Sequence, residues 1–404
     1  MSERHTTDTP QWSAKDLQLS PTALAIGPNV FEHSMVMVAQ ARAAGRDVID
    51  LSVGNPDAEP AAFIREAAVQ AVNIPDNARY ASFDGKRAFL QAAAHWYRHT
   101  HGVDLNVDTE LFAVEGAVDG LASLFNVLVS PGDTVAFVDP YYPSYHCMTT
   151  MLRGRELLLP AERDLGFLPD LDAVPASTWD RVQLLVLNYP NNPTGAQAPR
   201  AFFEQVIALA KRHHFAVIQD FAYAGLGVRE QQCSILEIAG AKDVAVEVVS
   251  LSKMYGMAGW RAGFLAGNAD LITAAKRYHY QMGSMVTTIV QDAAVVALMS
   301  DQHSVRDLAA RYAHRRELVQ TPLRAMGYDV FDAQGGLYTW MHAPQGQTGA
   351  SFAAQLLADT DVCVLDGGCF GQQGADWVRL SLLQPEERLV EAVERIGRAQ
   401  RRQA

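Results

Sequence analysis

The chain has 404 residues, with 33 lysines and arginines against 45 aspartates and glutamates, giving a net charge of −12. That balance argues against nucleic acid as a partner, because phosphate backbones are held by basic stripes. With 49% hydrophobic and 19% charged residues the chain can bury a large core, and its length allows a large domain with a smaller one beside it.

In chain order, residues 1–20 are polar, show no period and read as an arm. Val48, Ile49, Leu51 and Val53 predict a short strand, stopped by the turn residues Gly54-Asn55-Pro56-Asp57. Helical patterns follow at 62–74 and 86–99, then an apolar strand at 111–116, a helix from about 118 and a strand at 134–139. The alternation continues with a strand at 182–188, a helix at 200–213 and strands at 215–220, 246–252 and 262–267. Strands that are apolar nearly throughout suit a parallel sheet covered on both faces. An α/β domain over residues 57–290 is therefore predicted. From about 303 the pattern changes to a charged helix, then GGLYTW (335–340), a helix at 350–358, CVLDGG (363–368), VRLSLL (378–383) and an amphipathic helix from Pro385. Residues 291–404 thus read as a smaller α+β domain, with residues 1–56 forming the arm and completing it.

Four cysteines, Cys147, Cys233, Cys363 and Cys369, are too few for a disulfide framework and lack the paired short spacings of a structural zinc site, so no metal is expected. No uncharged apolar run is long enough to span a bilayer, and the first residues, MSERHTTDTPQW, are unlike a signal peptide. The expectation is a cytoplasmic protein with no membrane partner.

Ligands of open α/β sheets bind at the carboxyl ends of strands, so unusual residues there carry most weight. Neither G-x-G-x-x-G nor the P-loop pattern is present. Instead Ser250-Leu-Ser252-Lys253 ends an apolar strand, followed by Tyr255-Gly-Met-Ala-Gly-Trp-Arg261. A lysine directly after a buried strand is costly unless it snorkels to water, has a partner or does covalent work. Asp220, which closes FAVIQD before Tyr223, needs a cationic or protonated partner for the same reason. LNYPNNPTG (187–195) marks a third strand end.

Taken in order, NNPTG, D-x-A-Y and S-x-S-K-x-Y-x-M-x-G-W-R resemble the fold-type I pyridoxal-phosphate enzymes, specifically the class I/II aminotransferase family, from about residue 25 to about residue 398. GMAGWR and PNVFEHSMVMVAQAR look like its alanine and LL-diaminopimelate aminotransferase side. The resemblance implies an α/β fold with a large, mostly parallel, seven-stranded type of sheet, and pyridoxal 5′-phosphate as cofactor. It assigns Lys253 to the Schiff base and to proton shuttling, and Asp220 to the protonated pyridine nitrogen. Asn192 and Tyr223 would bond the ring oxygen, while Tyr142 would stack on the ring. Gly116, Ala117 and Val118 would open a helix facing the phosphate, with Ser250, Ser252 and Arg261 completing the cup. Tyr80 would reach the phosphate of a neighbouring subunit, implying a homodimer with composite active sites. Arg379, helped by Gly54 and Asn192, would clamp the substrate carboxylate.

Several positions depart from the family pattern. Ala117 replaces a serine, Leu90 stands where an arginine is expected, Asp366-Gly367 replaces a P-G pair, and GNPDAEPAAF has lost the aromatic after Pro56-Asp57. Asp84 and Asp366 are candidates to receive a cationic or polar substrate, and Lys276, Arg277 and the basic residues of 311–316 to read a dicarboxylate. The expected activity moves an amino group between an L-amino acid and a 2-oxo acid. The alternative is elimination, replacement or ring formation at Cβ or Cγ on the same scaffold, in specialised biosynthesis.

Overall fold

The computed structural model describes residues 19–228, 232–283 and 285–403, with no side-chain account after 400. Of the arm predicted over residues 1–20, residues 1–18 lie outside the described residues. The first strands are β1 (Ile49–Asp50), β2 (Leu111–Val114), β3 (Thr134–Asp139), β4 (Arg155–Pro160), β5 (Val182–Leu187) and β6 (Ala216–Phe221). They are followed by β7 (Ala245–Ser250), β8 (Gly263–Gly267), β9 (Tyr338–His342), β10 (Val362–Cys363), β11 (Leu365–Asp366) and β12 (Trp377–Ser381).

Seven strands make one sheet in the order β2-β8-β7-β6-β5-β3-β4. The pairs β3–β4, β3–β5, β5–β6 and β6–β7 are parallel, while β8 runs antiparallel to β7 and β2. The mostly parallel sheet follows from strands that are apolar on both faces. Along β5, Leu184 and Val186 join the core under the helices Ala117–Leu128 and Ala269–Met282, and Leu185 and Leu187 join the core on the other side. That alternation is the strand period of two, and each side chain so buried contributes about 1.5–3 kcal/mol. Edge strand β4 was hidden in the sequence because it starts with exposed Arg155 and Glu156 and ends in Pro160. At Gly263, opposite Ser250, an added Cβ would stand 2.5 Å from the Val249 carbonyl, so only glycine lets β8 close against the end of β7.

The C-terminal residues form a three-stranded antiparallel sheet, β11-β12-β9, in which Arg379 pairs with Trp340 and Leu365. A separate core lies under it, built from Leu308, Tyr312, Val319, Met341, Val378, Leu380, Leu389 and Ile396. β1 pairs in parallel with β10, Ile49 opposite Val362, so an N-terminal strand is fixed to the C-terminal part of the chain. The Leu51 carbonyl then accepts from the Ser381 amide at 2.8 Å, which carries Ser52, Val53 and Gly54 across to the large sheet. No helix among the described residues is long and apolar enough to cross a membrane.

Candidate active site

Where β5, β6 and β7 end, a cavity of about 380 Å³ opens between the two sheets. Its walls include Asn188 and Asn192 after β5, Asp220 and Tyr223 at the end of β6, and Ser250, Ser252 and Lys253 after β7. Ala117 and Val118 at a helix start, Tyr142 after β3, Arg261 before β8, Gly54, Arg379 and Tyr338 complete its polar edge. Thus twelve predicted positions, Gly54, Ala117, Val118, Tyr142, Asn192, Asp220, Tyr223, Ser250, Ser252, Lys253, Arg261 and Arg379, border one space.

Lys253 donates from Nζ to the Gly54 carbonyl at 2.6 Å. Burial pushes its amine pKa down; the Arg379 and Arg261 cations add to this, against the opposing pull of Tyr338. Asp220 is pushed up to about 6, chiefly by burial, although the Tyr145 hydroxyl at 2.7 Å and the Ala222 amide at 3.2 Å both donate to it. No cation pairs with Asp220 among the described residues. A buried carboxylate with neutral donors on one side and a cavity on the other is arranged to accept a cationic hydrogen-bond donor there.

Across the cavity, Gly116 has φ 86° and precedes the helix Ala117–Leu128, whose first turn receives no side-chain cap from that glycine. Its free amides make an anion-binding helix end. A Cβ at Gly116 would come within 2.8 Å of the Arg261 guanidinium, so Gly116, which is not itself on the cavity wall, makes room for Arg261. Arg261 adopts φ 56°, a left-handed conformation that side chains rarely take, and donates to the carbonyls of Ala258 at 3.2 Å and Glu115 at 3.1 Å. The Ser250 hydroxyl accepts from the Ser252 amide at 3.2 Å, which leaves its proton to donate. These groups form a donor-rich cup suited to a phosphate.

Arg379 is only 2% exposed and has no carboxylate partner among the described residues. It donates to Asn192 Oδ1 at 2.9 Å and to the Ser52 carbonyl at 2.8 Å, and its Nε is buried without a partner. The guanidinium carbon lies 4.0 Å from the Tyr338 ring centre, 4.9 Å from that of Phe370 and 5.7 Å from that of Phe31. An uncompensated buried cation with a spare donor fork is suited to a carboxylate ligand.

Four contributors went unread in the sequence. Tyr145 holds Asp220; Asn188 donates to the Asp220 carbonyl at 2.7 Å and accepts from the Asn192 amide at 2.8 Å. Ser52 supplies its carbonyl to Arg379. Tyr338 hydrogen-bonds Tyr223; burial raises its pKa, but the nearby Arg379 and Lys253 cations outweigh that and hold it down. Its hydroxyl would stand 2.4 Å from a Cβ on Gly54, which explains the glycine there. Asn188 lay inside LNYPNNPTG and Tyr145 three residues after the predicted Tyr142; GGLYTW gave no such hint for Tyr338.

Other predicted positions lie elsewhere. Tyr80 is 95% exposed and not on the cavity wall of this chain. Asp84 accepts from the Tyr280 hydroxyl and pairs with Lys276 at 3.5 Å, and Asp366 accepts from the Gly368 amide at 2.9 Å. Neither borders the cavity of this chain. Arg315 pairs with Asp57 at 2.8 Å, Arg316 donates to the Gly336 carbonyl at 2.9 Å, and Arg277 and Arg311 are exposed, so none of these reads a second carboxylate from the wall. Leu90 is buried in the core.

Residues 46–396 match the family model described as aminotransferase class I and II. The chain is 40% identical to L-glutamine–4-(methylsulfanyl)-2-oxobutanoate aminotransferase of Bacillus subtilis (strain 168), covering 92% of this chain and 94% of that protein. It is 38% identical to LL-diaminopimelate aminotransferase of Nitratidesulfovibrio vulgaris (strain DSM 19637 / Miyazaki F), covering 95% and 99%. Among solved structures, substrate-bound BacF from Bacillus subtilis superposes with a TM-score of 0.90 at 32% identity, covering 94% of this chain and 97% of that one.

Proposed function

The chain belongs to the class I and II aminotransferase family and transfers an amino group between an amino acid and a 2-oxo acid; we propose that it does so on pyridoxal 5′-phosphate, with Lys253 as its covalent anchor. The observation that carries the proposal is one cavity bordered by an amine, a buried unpaired carboxylate, a donor-rich cup and a buried unpaired guanidinium.

The donor set fits that cofactor. The orphaned Asp220 carboxylate matches a protonated pyridine nitrogen, and the Arg261, Ser250 and helix-end donors match a phosphate. When bound, the cofactor supplies a carbonyl that carries the amino group and a ring that takes up electrons released at the substrate Cα. Asp220 would keep the ring nitrogen protonated, and Asn192 and Tyr223 would bond the ring hydroxyl. Tyr142 would pack on the ring, and its phenol, raised by burial, stays a neutral donor. Arg379 holds the α-carboxylate and so orients the Cα–H bond toward Lys253. The lowered pKa of Lys253 favours the free amine form that would take the Cα proton.

Tyr80 lies outside its own cavity and is 95% exposed, with Phe83 of the following turn exposed as well. Those exposed aromatic side chains support a homodimer in which Tyr80 completes the phosphate cup of the partner. Light scattering should give twice the chain mass, and Tyr80→Phe should weaken cofactor retention. The four cysteines are free thiols, which supports a cytoplasmic enzyme.

Single turnover tests the reading: loaded enzyme is mixed with one amino acid at a time and both products are identified by mass spectrometry. Conversion to the amine form of the cofactor with one equivalent of 2-oxo acid supports it. Loss or exchange of a side-chain group with the cofactor unchanged refutes it. The relatives' named substrates range from a thioether oxo acid and glutamine to diaminopimelate, so the side chain is left open by family membership.

A further inference from the structure

We infer that the side-chain part of this cavity takes neutral, apolar amino acids and their 2-oxo acids and rejects dicarboxylic and diamino substrates. The inference rests on the amino-transfer reading above. The ionisable side chains of opposite sign on the wall are Lys253, Arg261 and Arg379 against Asp220. All four are committed to anchoring, phosphate, α-carboxylate and ring nitrogen. The wall near Gly54 and Arg379 that is not given to the cofactor then includes Phe31 and Val53, with neutral Ser34 and Asn55.

Nearby charges have partners already. Asp57 pairs with Arg315 at 2.8 Å, Asp84 with Lys276 at 3.5 Å, and Asp366 caps its own turn. On the exposed turn that would meet a partner subunit, Arg79 pairs with Asp76 at 3.5 Å beside Tyr80. A distal carboxylate or ammonium entering beside Phe31 and Val53 would shed water and find no counter-ion among the described residues. A thioether, branched aliphatic or aromatic side chain would instead bury apolar surface against those walls.

The test uses holoenzyme and measures the single-turnover rate constant over apparent dissociation constant for L-methionine, L-leucine, L-phenylalanine, L-glutamate, L-lysine and LL-diaminopimelate. The best neutral substrate should exceed each charged one by at least about a hundredfold. Calorimetry with unreactive monocarboxylates supplies a binding readout: 4-methylpentanoate should bind at least tenfold more tightly than glutarate. A charged amino acid as the fastest substrate, or tighter glutarate binding, overturns the inference and leaves amino transfer intact. If no amino acid on the panel converts the cofactor to its amine form, the inference is overturned, whereas loss or exchange of side-chain groups with the cofactor unchanged refutes amino transfer itself.

Discussion

Replacing Arg379 by lysine keeps the positive charge and removes the fork. Of the five guanidinium N–H groups, the structure commits one to Asn192 Oδ1 and one to the Ser52 carbonyl. Three are left, including the unpartnered Nε–H, and a substrate carboxylate takes two of them. A lysine ammonium has three donors in all, so after Asn192 and Ser52 one remains. The exchange therefore loses one charge-assisted hydrogen bond, about 1.5–3 kcal/mol, and part of the stacking on Tyr338 and Phe370, about 0.5–1 kcal/mol. The total of about 2–4 kcal/mol corresponds to a fall in kcat/KM of roughly 30- to 1,000-fold. Because donor and acceptor present the same α-carboxylate, both half-reactions should fall together, in steady-state assays with each substrate varied in turn. The cofactor absorbance and circular dichroism of Arg379→Lys should stay as in the parent. A loss below tenfold, or a loss confined to one half-reaction, would falsify the carboxylate assignment.

Lys253→Ala should lower turnover by at least about a thousandfold, and borohydride should no longer fix cofactor to the peptide containing position 253, as read by peptide mass spectrometry. Gly54→Ala places a Cβ against the Tyr338 hydroxyl and should cost about 1–3 kcal/mol in denaturant melts. Adding Tyr338→Phe should recover at least half of that loss, and no recovery would show that the hydroxyl is not the obstacle. Burial lifts Asp220 to about 6, above the ordinary carboxyl range, so the proton it binds in the fold stabilises below pH 4 and that contribution is lost as pH rises through 6. In cofactor-free protein, Asp220→Asn should therefore gain on the parent by about 1 kcal/mol between pH 5 and pH 7, in paired melts. A difference that does not change with pH would contradict the burial of an unpaired charge.

What the sequence disclosed follows from where its information is local. β3 and the helix Arg200–His213 were read at their observed bounds because TVAFVD is a buried strand between turn residues and 200–213 carries a clean apolar face. β4 was missed because an edge strand needs no apolar pattern on its outer side. Lys253 and Asp220 were legible because each stands at or just after the end of a buried strand, where a charged residue is tolerated only for a purpose, whereas Asn192 was read only through the family resemblance of NNPTG. Tyr338 was not, since a tyrosine in a β-rich run is an ordinary core residue. Its place against Gly54, Tyr223 and Arg379 comes from the pairing of β9 with β12, which no local pattern specifies.

Asp84 and Asp366 show the complementary failure. Read along the chain, each is an acid at a position where relatives differ, and that invites a ligand. In the fold, Asp84 meets Tyr280 and Lys276 from the helix Ala269–Met282, and Asp366 turns back on the Gly368 amide. A charged side chain marks a recognition site only when the fold leaves it without a partner and without water, as it does for Arg379 and Asp220. By that criterion the charged groups on the wall among the described residues are Arg379 for a carboxylate, Asp220 for a ring nitrogen, Arg261 for a phosphate and Lys253 as the anchor, with no further charge to meet the end of a substrate side chain. Selectivity in this cavity then comes from the cost of stripping water from a charged side chain beside Phe31 and Val53, so substrates should rank by hydration of the side chain before they rank by its length.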